Sequence, residues 1–156
     1  MLPPIEELPD PLAELLSVWE ALPRSGGDLP RRVDFDPMSV PRLLQNVYLI
    51  AVEGRAPRRF RFRLIGEALL AAGAPGRPGM YVDEIPRTTT GAHLHEHLAA
   101  AAASRKPNWY RGPPTLQHHK FVTELEGIML PLAGADDDVE ALLGITVYRW
   151  LDGRTT

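Results

Sequence analysis

The chain contains no cysteine. That absence excludes disulfides, thiolate nucleophiles, zinc ribbons, iron-sulfur clusters and c-type haem attachment, because each needs a sulfur the chain does not have. Long apolar runs are missing too. Nothing approaches the ~20 consecutive apolar residues of a membrane-spanning helix, and the N-terminus lacks the basic-then-apolar order of a signal peptide. A cytoplasmic location and no membrane partner are the expectation. Charge of one sign is equally scarce: 17 Lys and Arg face 20 Asp and Glu, for a net charge of -3. A general polyanion binder would be basic, so no nucleic-acid partner is expected. There is no Gly-rich phosphate loop ending in Lys-Ser or Lys-Thr, no Gly-x-Ser-x-Gly elbow and no dinucleotide fingerprint. These absences point to a binding function without catalysis.

What is present is ordinary for one folded domain. A globule of 156 residues removes about two-thirds of its unfolded surface from water, enough for one core. The hydrophobic fraction is 44% and the charged fraction 24%, so general disorder is not expected. Sixteen prolines are many. They cluster at Pro3, Pro4, Pro9 and Pro11, then at Pro75, Pro78, Pro113 and Pro114, which marks an irregular start and fixed loops.

Asp10 before Pro11 predicts a helix start, the Asp side chain accepting orphan amide protons while the proline suits the first turn. Leu12, Leu15, Leu16, Trp19 and Leu22 follow at helical spacing, and Pro23 with Gly26-Gly27 ends the helix. Its stripe faces either its own core or a second chain through Leu15, Leu16 and Trp19. Residues 29 to 46 read as an extended connector and a short helix, with Asp36-Pro37 repeating the cap-then-proline signal. Val47 to Val52 reads as a strand, Glu53 to Pro57 as a turn, and RRFRFRLIG as the clearest strand of the chain. There Phe60, Phe62 and Leu64 alternate with Arg61 and Arg63.

Residues 66 to 86 are too interrupted by Gly73, Gly76 and Gly79 for a single helix. A longer helix is predicted from Thr90 or its neighbours, with Leu94, Leu98 and Ala101 on one face, Arg105 and Lys106 suited to its C-terminal dipole and Pro107 as its stop. Three further strands are predicted at Asn108 to Gly112, Phe121 to Leu132 and Leu142 to Trp150, the last two joined by a hairpin loop at residues 133 to 138. The domain is expected to span residues 12–150, with an irregular segment at 1–11 and a tail at 151–156.

This order resembles the PAS domain, in particular short, mostly stand-alone bacterial PAS proteins. The matching pieces are Trp19 in the leading helix, LPRRVDFDP at residues 29 to 37, FRFRLIG with Gly66, the spaced Gly73, Gly76 and Gly79 leading into Tyr81 to Ile85, and MLPLAG at residues 129 to 134. The resemblance implies an α+β fold: a five-stranded antiparallel sheet, short helices and the longer helix on one face enclosing a cavity, and an N-terminal helix. It also implies a sensory or regulatory role, commonly as a homodimer or with a signalling protein partner.

Strand alternation and helix phase aim Phe60, Phe62, Leu64, Leu94, His97, Leu98, Ile145 and Val147 at that interior as lining for a small-molecule ligand. PAS photochemistry that uses a cysteine is excluded; non-covalent flavin or haem stays open. His93 and His97 lie one turn apart while His95 points elsewhere. His97 is nearest the apolar face, where a neutral imidazole suits haem iron or a divalent metal. The plainer alternative is a histidine cluster at the surface edge, hydrated and binding nothing. His118-His119 would put neighbouring rings on opposite faces of the next strand.

His95-Glu96-His97 lacks the spacing of a metalloprotease helix. An enzyme would need an acid-base pair, and Asp83, Glu84 and His97 are the only suggestive set. Arg55, Arg58, Arg59, Arg61 and Arg63 form a basic patch, either for phosphates or an acidic partner, or a solvated sheet face balanced by Glu124 and Glu126. Asp136 to Asp138 read as a solvated turn rather than a calcium loop. A ligand-free dimerisation scaffold is the remaining alternative.

Overall fold

The computed structural model describes residues 1–55, 57–86, 91–114 and 119–156, the side chains of Gly91 and Ala92 excepted. Helix α1 spans Asp10–Ala21. It begins one residue earlier than a capping role for Asp10 would require: Pro9 holds the cap position, and Asp10 adds its negative charge to the first turn. Leu12, Leu15, Leu16 and Trp19 form the buried stripe. Leu22, in extended conformation, closes the helix before Pro23. Three 3-10 turns follow at Arg32–Asp34, Pro37–Ser39 and Pro41–Asn46. The Asp36 carboxylate accepts from the Met38 amide at 2.9 Å, the cap that the Asp-Pro pair predicts.

Strand β1 spans Val47–Glu53 and β2 Arg59–Ile65. Short helix α2 occupies Glu67–Ala71, a 3-10 turn occupies Val82–Glu84, and α3 runs over Gly91–Ser104. The expected start at Thr90 lies outside the described residues. Arg105 sits just past the end of α3 in the left-handed region, φ 56°. Its guanidinium does not cap the helix. It reaches the Asp137 carbonyl and carboxylate and Asp28 instead. Strands β3 (Asn108–Gly112), β4 (Val122–Ala133) and β5 (Val139–Trp150) complete the order.

The five strands form one antiparallel sheet in the order β2-β1-β5-β4-β3. Side chains alternate across the sheet, so directly paired residues share a face. One face carries Tyr48, Ile50, Phe60, Phe62, Met129, Leu142, Thr146 and Tyr148, linked through the pairs Ile50↔Phe62, Ile50↔Leu142 and Tyr48↔Gly144. Helix α3 covers it with Leu94, Leu98, Ala101 and Ala102. The other face carries Val47, Leu49, Leu130, Leu132, Leu143 and Ile145, all buried. There α1 packs against β4 and β5, and Leu29, Phe35, Val40 and Leu43 of the connector complete the cover. The Trp19 indole N–H donates to the Pro131 carbonyl at 2.9 Å, tying α1 to a central strand.

Two differences from the sequence reading concern charge and ends. Because β2 is an edge strand, separated from β4 by two intervening strands, its arginines do not meet Glu124 or Glu126. Arg59 pairs with Asp83, Arg61 with Glu53, and Arg55 with Asp136 and Asp138. Glu124 instead joins Arg111 and Arg149, and Glu126 is buried, accepting from the Trp109 indole at 3.0 Å. The segment after Trp150 is paired rather than trailing. Tyr148 and Thr156 exchange two backbone hydrogen bonds, of 2.7 and 2.9 Å, and the Trp150 indole donates to the Thr156 hydroxyl. At the other terminus Leu8 is buried in the main core.

Gly144, in the middle of β5, has the Tyr48 ring where a side chain would stand. A methyl group there must displace an aromatic ring pinned in the sheet. Gly144→Ala is expected to lose about 2 kcal/mol of stability or more, read by urea denaturation. A loss of only a few tenths would contradict this packing.

Candidate functional site

A cavity of about 580 Å³ lies between the sheet and the N-terminal half of α3. That size falls in the range of roughly 300 to 1,000 Å³ typical of small-molecule sites. Its floor is made by Tyr48 and Ile50 of β1, Phe62 and Ile65 of β2, Gly127 and Met129 of β4, and Thr146 and Tyr148 of β5. Asn108 and Tyr110 of β3 form one side, and Leu69, Ala74 and Pro75 another. His93, Leu94, His97 and Leu98 of α3 form the wall opposite the sheet.

The local sequence explains why space remains there. Helix α3 packs with the small residues Ala101 and Ala102, both buried, whereas its earlier turns carry the longer residues His93, Leu94, His97 and Leu98 that border the cavity. Below them Gly127 contributes no side chain, and a Cβ there would stand 3.0 Å from the Thr146 hydroxyl. Beyond the cavity, Leu69, Ala72, Val122, Tyr148 and Trp150 pack into a second, smaller core.

Among the described residues no Asp, Glu, Lys or Arg lines the cavity. Burial pushes the phenol pKa of Tyr48 and of Tyr148 well up, and for Tyr48 the neighbouring Tyr148 adds to the effect, so both phenols are neutral donors. Burial pushes His97 the other way, below its ordinary value of 6.5, because a charged imidazolium is poorly solvated there. Several polar groups of the lining are already engaged: the Asn108 amide donates to the Lys106 carbonyl and the Ser104 hydroxyl, and the Tyr110 hydroxyl to the Pro113 carbonyl. The Tyr48 and Thr146 hydroxyls and the His93 and His97 rings make no hydrogen bond to any described residue. They are the polar groups of the lining that are free of such bonds, and His93 and His97 are also exposed to solvent.

Of the residues picked from sequence, the structure brings Phe62, Leu94, His97 and Leu98 to the cavity. Phe60 shares their face of the sheet but lies beyond the cavity, its ring edge-on to His95 at 5.2 Å. Leu64 turns to the opposite face because the register shifts between Leu49 and Ile50: Leu49 pairs with Leu64 but Ile50 with Phe62, leaving Arg63 as an extra residue. Ile65, beyond that bulge, takes the cavity position instead. Ile145 and Val147 also belong to the opposite face, and Thr146 and Tyr148 are the β5 residues that reach the cavity. Strand β5 is buried on both faces, so its alternation carried no phase.

Leu15, Leu16 and Trp19, read as contacts for a second chain, are 0%, 2% and 7% exposed within the chain's own core. They are engaged by the sheet and are not a contact surface. His93 and His97 both line the cavity, whereas His95 stacks on Phe60. His118 lies outside the described residues; His119 packs its ring against Phe121 and Trp150. Asp83 pairs with Arg59, and Glu84 accepts from the Tyr81 amide, so neither joins His97. Among the described residues no group of three or more His, Asp or Glu is placed to hold a metal ion. Tyr48, Thr146 and Tyr148 were missed by sequence reasoning. Only the β1 to β5 register, which no local pattern encodes, sets them around Gly144.

Among the described residues no helix is long and apolar enough to cross a membrane. Comparison with curated proteins and with solved structures returned no match. A family model described as PAS domain matches residues 9–147, from the start of α1 to near the end of β5. PAS domains are in general sensory or signalling modules without catalysis of their own. The five-stranded antiparallel sheet with α3 over one face and α1 at the N-terminus agrees with that match, and the chain belongs to the PAS domain family.

Proposed function

We propose that this domain senses a small apolar or amphipathic molecule held between the sheet and α3, and passes on its occupancy by associating with a second copy or a signalling protein. The observation that carries this reading is the largely apolar cavity of about 580 Å³ between the sheet and α3, bordered by the polar side chains of Tyr48, Thr146, His93 and His97. A space that size, if it were merely a packing fault, would sacrifice dispersion contacts along every wall without return. Filling it with a ligand restores those contacts and stabilises the folded state by mass action. The association surface lies elsewhere than the stripe of α1, whose side chains are buried. Val33 and Met38, 75% and 69% exposed, are apolar residues left on the outside of the connector.

Nile red, a neutral dye that brightens in apolar surroundings, serves as a probe. The parent protein is expected to bind it saturably with one dye per chain. Ala74→Trp, which puts an indole at the cavity border, is expected to weaken binding about tenfold while the thermal midpoint stays close to the parent's. No saturable uptake, together with no small molecule released on denaturation, favours the ligand-free scaffold instead.

A second reading is a haem sensor with His97 as axial ligand. It is supported by His93 and His97 both lining the cavity and by the lowered pKa that keeps His97 neutral and able to donate a lone pair. Titration with hemin is the test: an intense Soret band that is lost in His97→Ala supports it, and an unchanged hemin spectrum removes it. An absorbance scan of the freshly purified protein covers flavin in the same measurement.

The His97 shift has a pH consequence of fixed sign. The unfolded chain titrates near 6.5 and the folded chain lower, so as pH falls through 6.5 the unfolded state takes up the proton first and stability is lost. Above that range both states are neutral and the group has no effect. Replacing His97 by Gln is therefore expected to flatten the fall in stability on the acid side of 6.5 and leave the alkaline side parallel to the parent, as read by urea denaturation across a pH series.

A further inference from the structure

We infer, resting on the reading that the cavity holds a ligand, that its occupant is an uncharged molecule with an apolar body and a hydroxyl or carbonyl group at each of two ends. One end meets Tyr48 and Thr146 on the sheet, and the other meets His93 and His97 on α3. The charge of the ligand follows from what surrounds it. Among the described residues no Asp, Glu, Lys or Arg lines the space, and a charge taken out of water against such walls has no counterion there. Nor are the nearby arginines aimed inward. Arg59 and Arg61 are paired with Asp83 and Glu53, and Arg111 and Arg149 both with Glu124. At the cavity, burial favours the neutral form of the Tyr48 and Tyr148 phenols and of the His97 imidazole.

The two-ended pattern follows from where the lining's polar groups sit that make no hydrogen bond to a described residue, those on α3 at the solvent-exposed side. The polar side chains of β3 are already engaged locally, so they do not ask for a ligand. The Tyr48 and Thr146 hydroxyls belong to the sheet, where Tyr48 lies against Gly144 and Thr146 sits beside Gly127. The His93 and His97 rings belong to α3, across the cavity from that floor. Between them stand Ile50, Phe62, Met129 and Leu98, which offer only apolar contact. Neutral imidazole and phenol each donate and accept, so hydroxyl and carbonyl groups both find partners. A carboxylate finds donors but no compensating charge.

Four probes of one shape separate these elements: naphthalene, naphthol, dihydroxynaphthalene with its hydroxyls at opposite ends, and naphthoate, measured by calorimetry or fluorescence at neutral pH. Affinity is expected to rise from naphthalene to naphthol to dihydroxynaphthalene, with naphthoate about tenfold or more weaker than naphthol. Tyr48→Phe and His97→Leu should each weaken dihydroxynaphthalene about fivefold while leaving naphthalene unchanged. Thermal melts of both variants check that the fold is intact. Naphthoate binding as tightly as naphthol, or dihydroxynaphthalene indifferent to both substitutions, overturns the inference while naphthalene binding leaves the ligand reading standing. If naphthalene itself does not bind, the ligand reading falls and this inference falls with it.

Discussion

The structure depends on a sheet whose three central strands are covered on both faces by unequal partners. On one face α1 and the proline-rich connector press large side chains, Leu12, Leu15, Trp19 and Phe35, against Leu130, Leu143 and Ile145, and that side is filled. On the other face α3 buries Leu94, Leu98, Ala101 and Ala102 but leaves a cavity beside its first turns. The solid side holds the strands in place, so that the incomplete packing of the other side does not collapse. A cavity in a domain this small is tolerable because the opposite layer is well filled, and each large side chain it removes from water contributes about 1.5 to 3 kcal/mol.

Much of this was legible locally. The Asp36 cap, the apolar stripe of α1, the alternating RFRFRL segment and the alanine run of α3 each name their own secondary structure, because caps, side-chain periodicity and helix propensity act within a few residues. The order of elements and the resemblance carried by Trp19, residues 29 to 37 and the spaced glycines gave the fold class. The site was only half legible. Leu94, His97 and Leu98 could be placed because helix phase is set by one apolar stripe and survives the length of α3.

Strand phase failed for two different reasons. In β2 the alternation from Phe60 to Leu64 is unbroken in the sequence, yet the chain inserts Arg63 as an extra residue against β1, and everything after it changes face. A bulge is a property of a pair of strands, and only the partner reveals it. In β5 both faces are apolar, so no contrast distinguishes Ile145 from Thr146. The same double burial accounts for α1. Its stripe had two candidate partners, and the sheet's second face, invisible to a local reading, is the one that takes it.

The ionic contacts at one end of the sheet bear on how the domain moves. Arg55 at the β1-β2 turn holds Asp136 and Asp138, and Arg105 just after α3 holds Asp137 and Asp28, so a single hairpin loop gathers three other parts of the chain. Each such exposed pair is weak alone, but together they fix the final turn of α3 relative to the strands. The cavity lies at the opposite end, against the first turns of that helix. The end of α3 that borders the cavity, from His93 to Leu98, is therefore the end that these ion pairs leave unanchored.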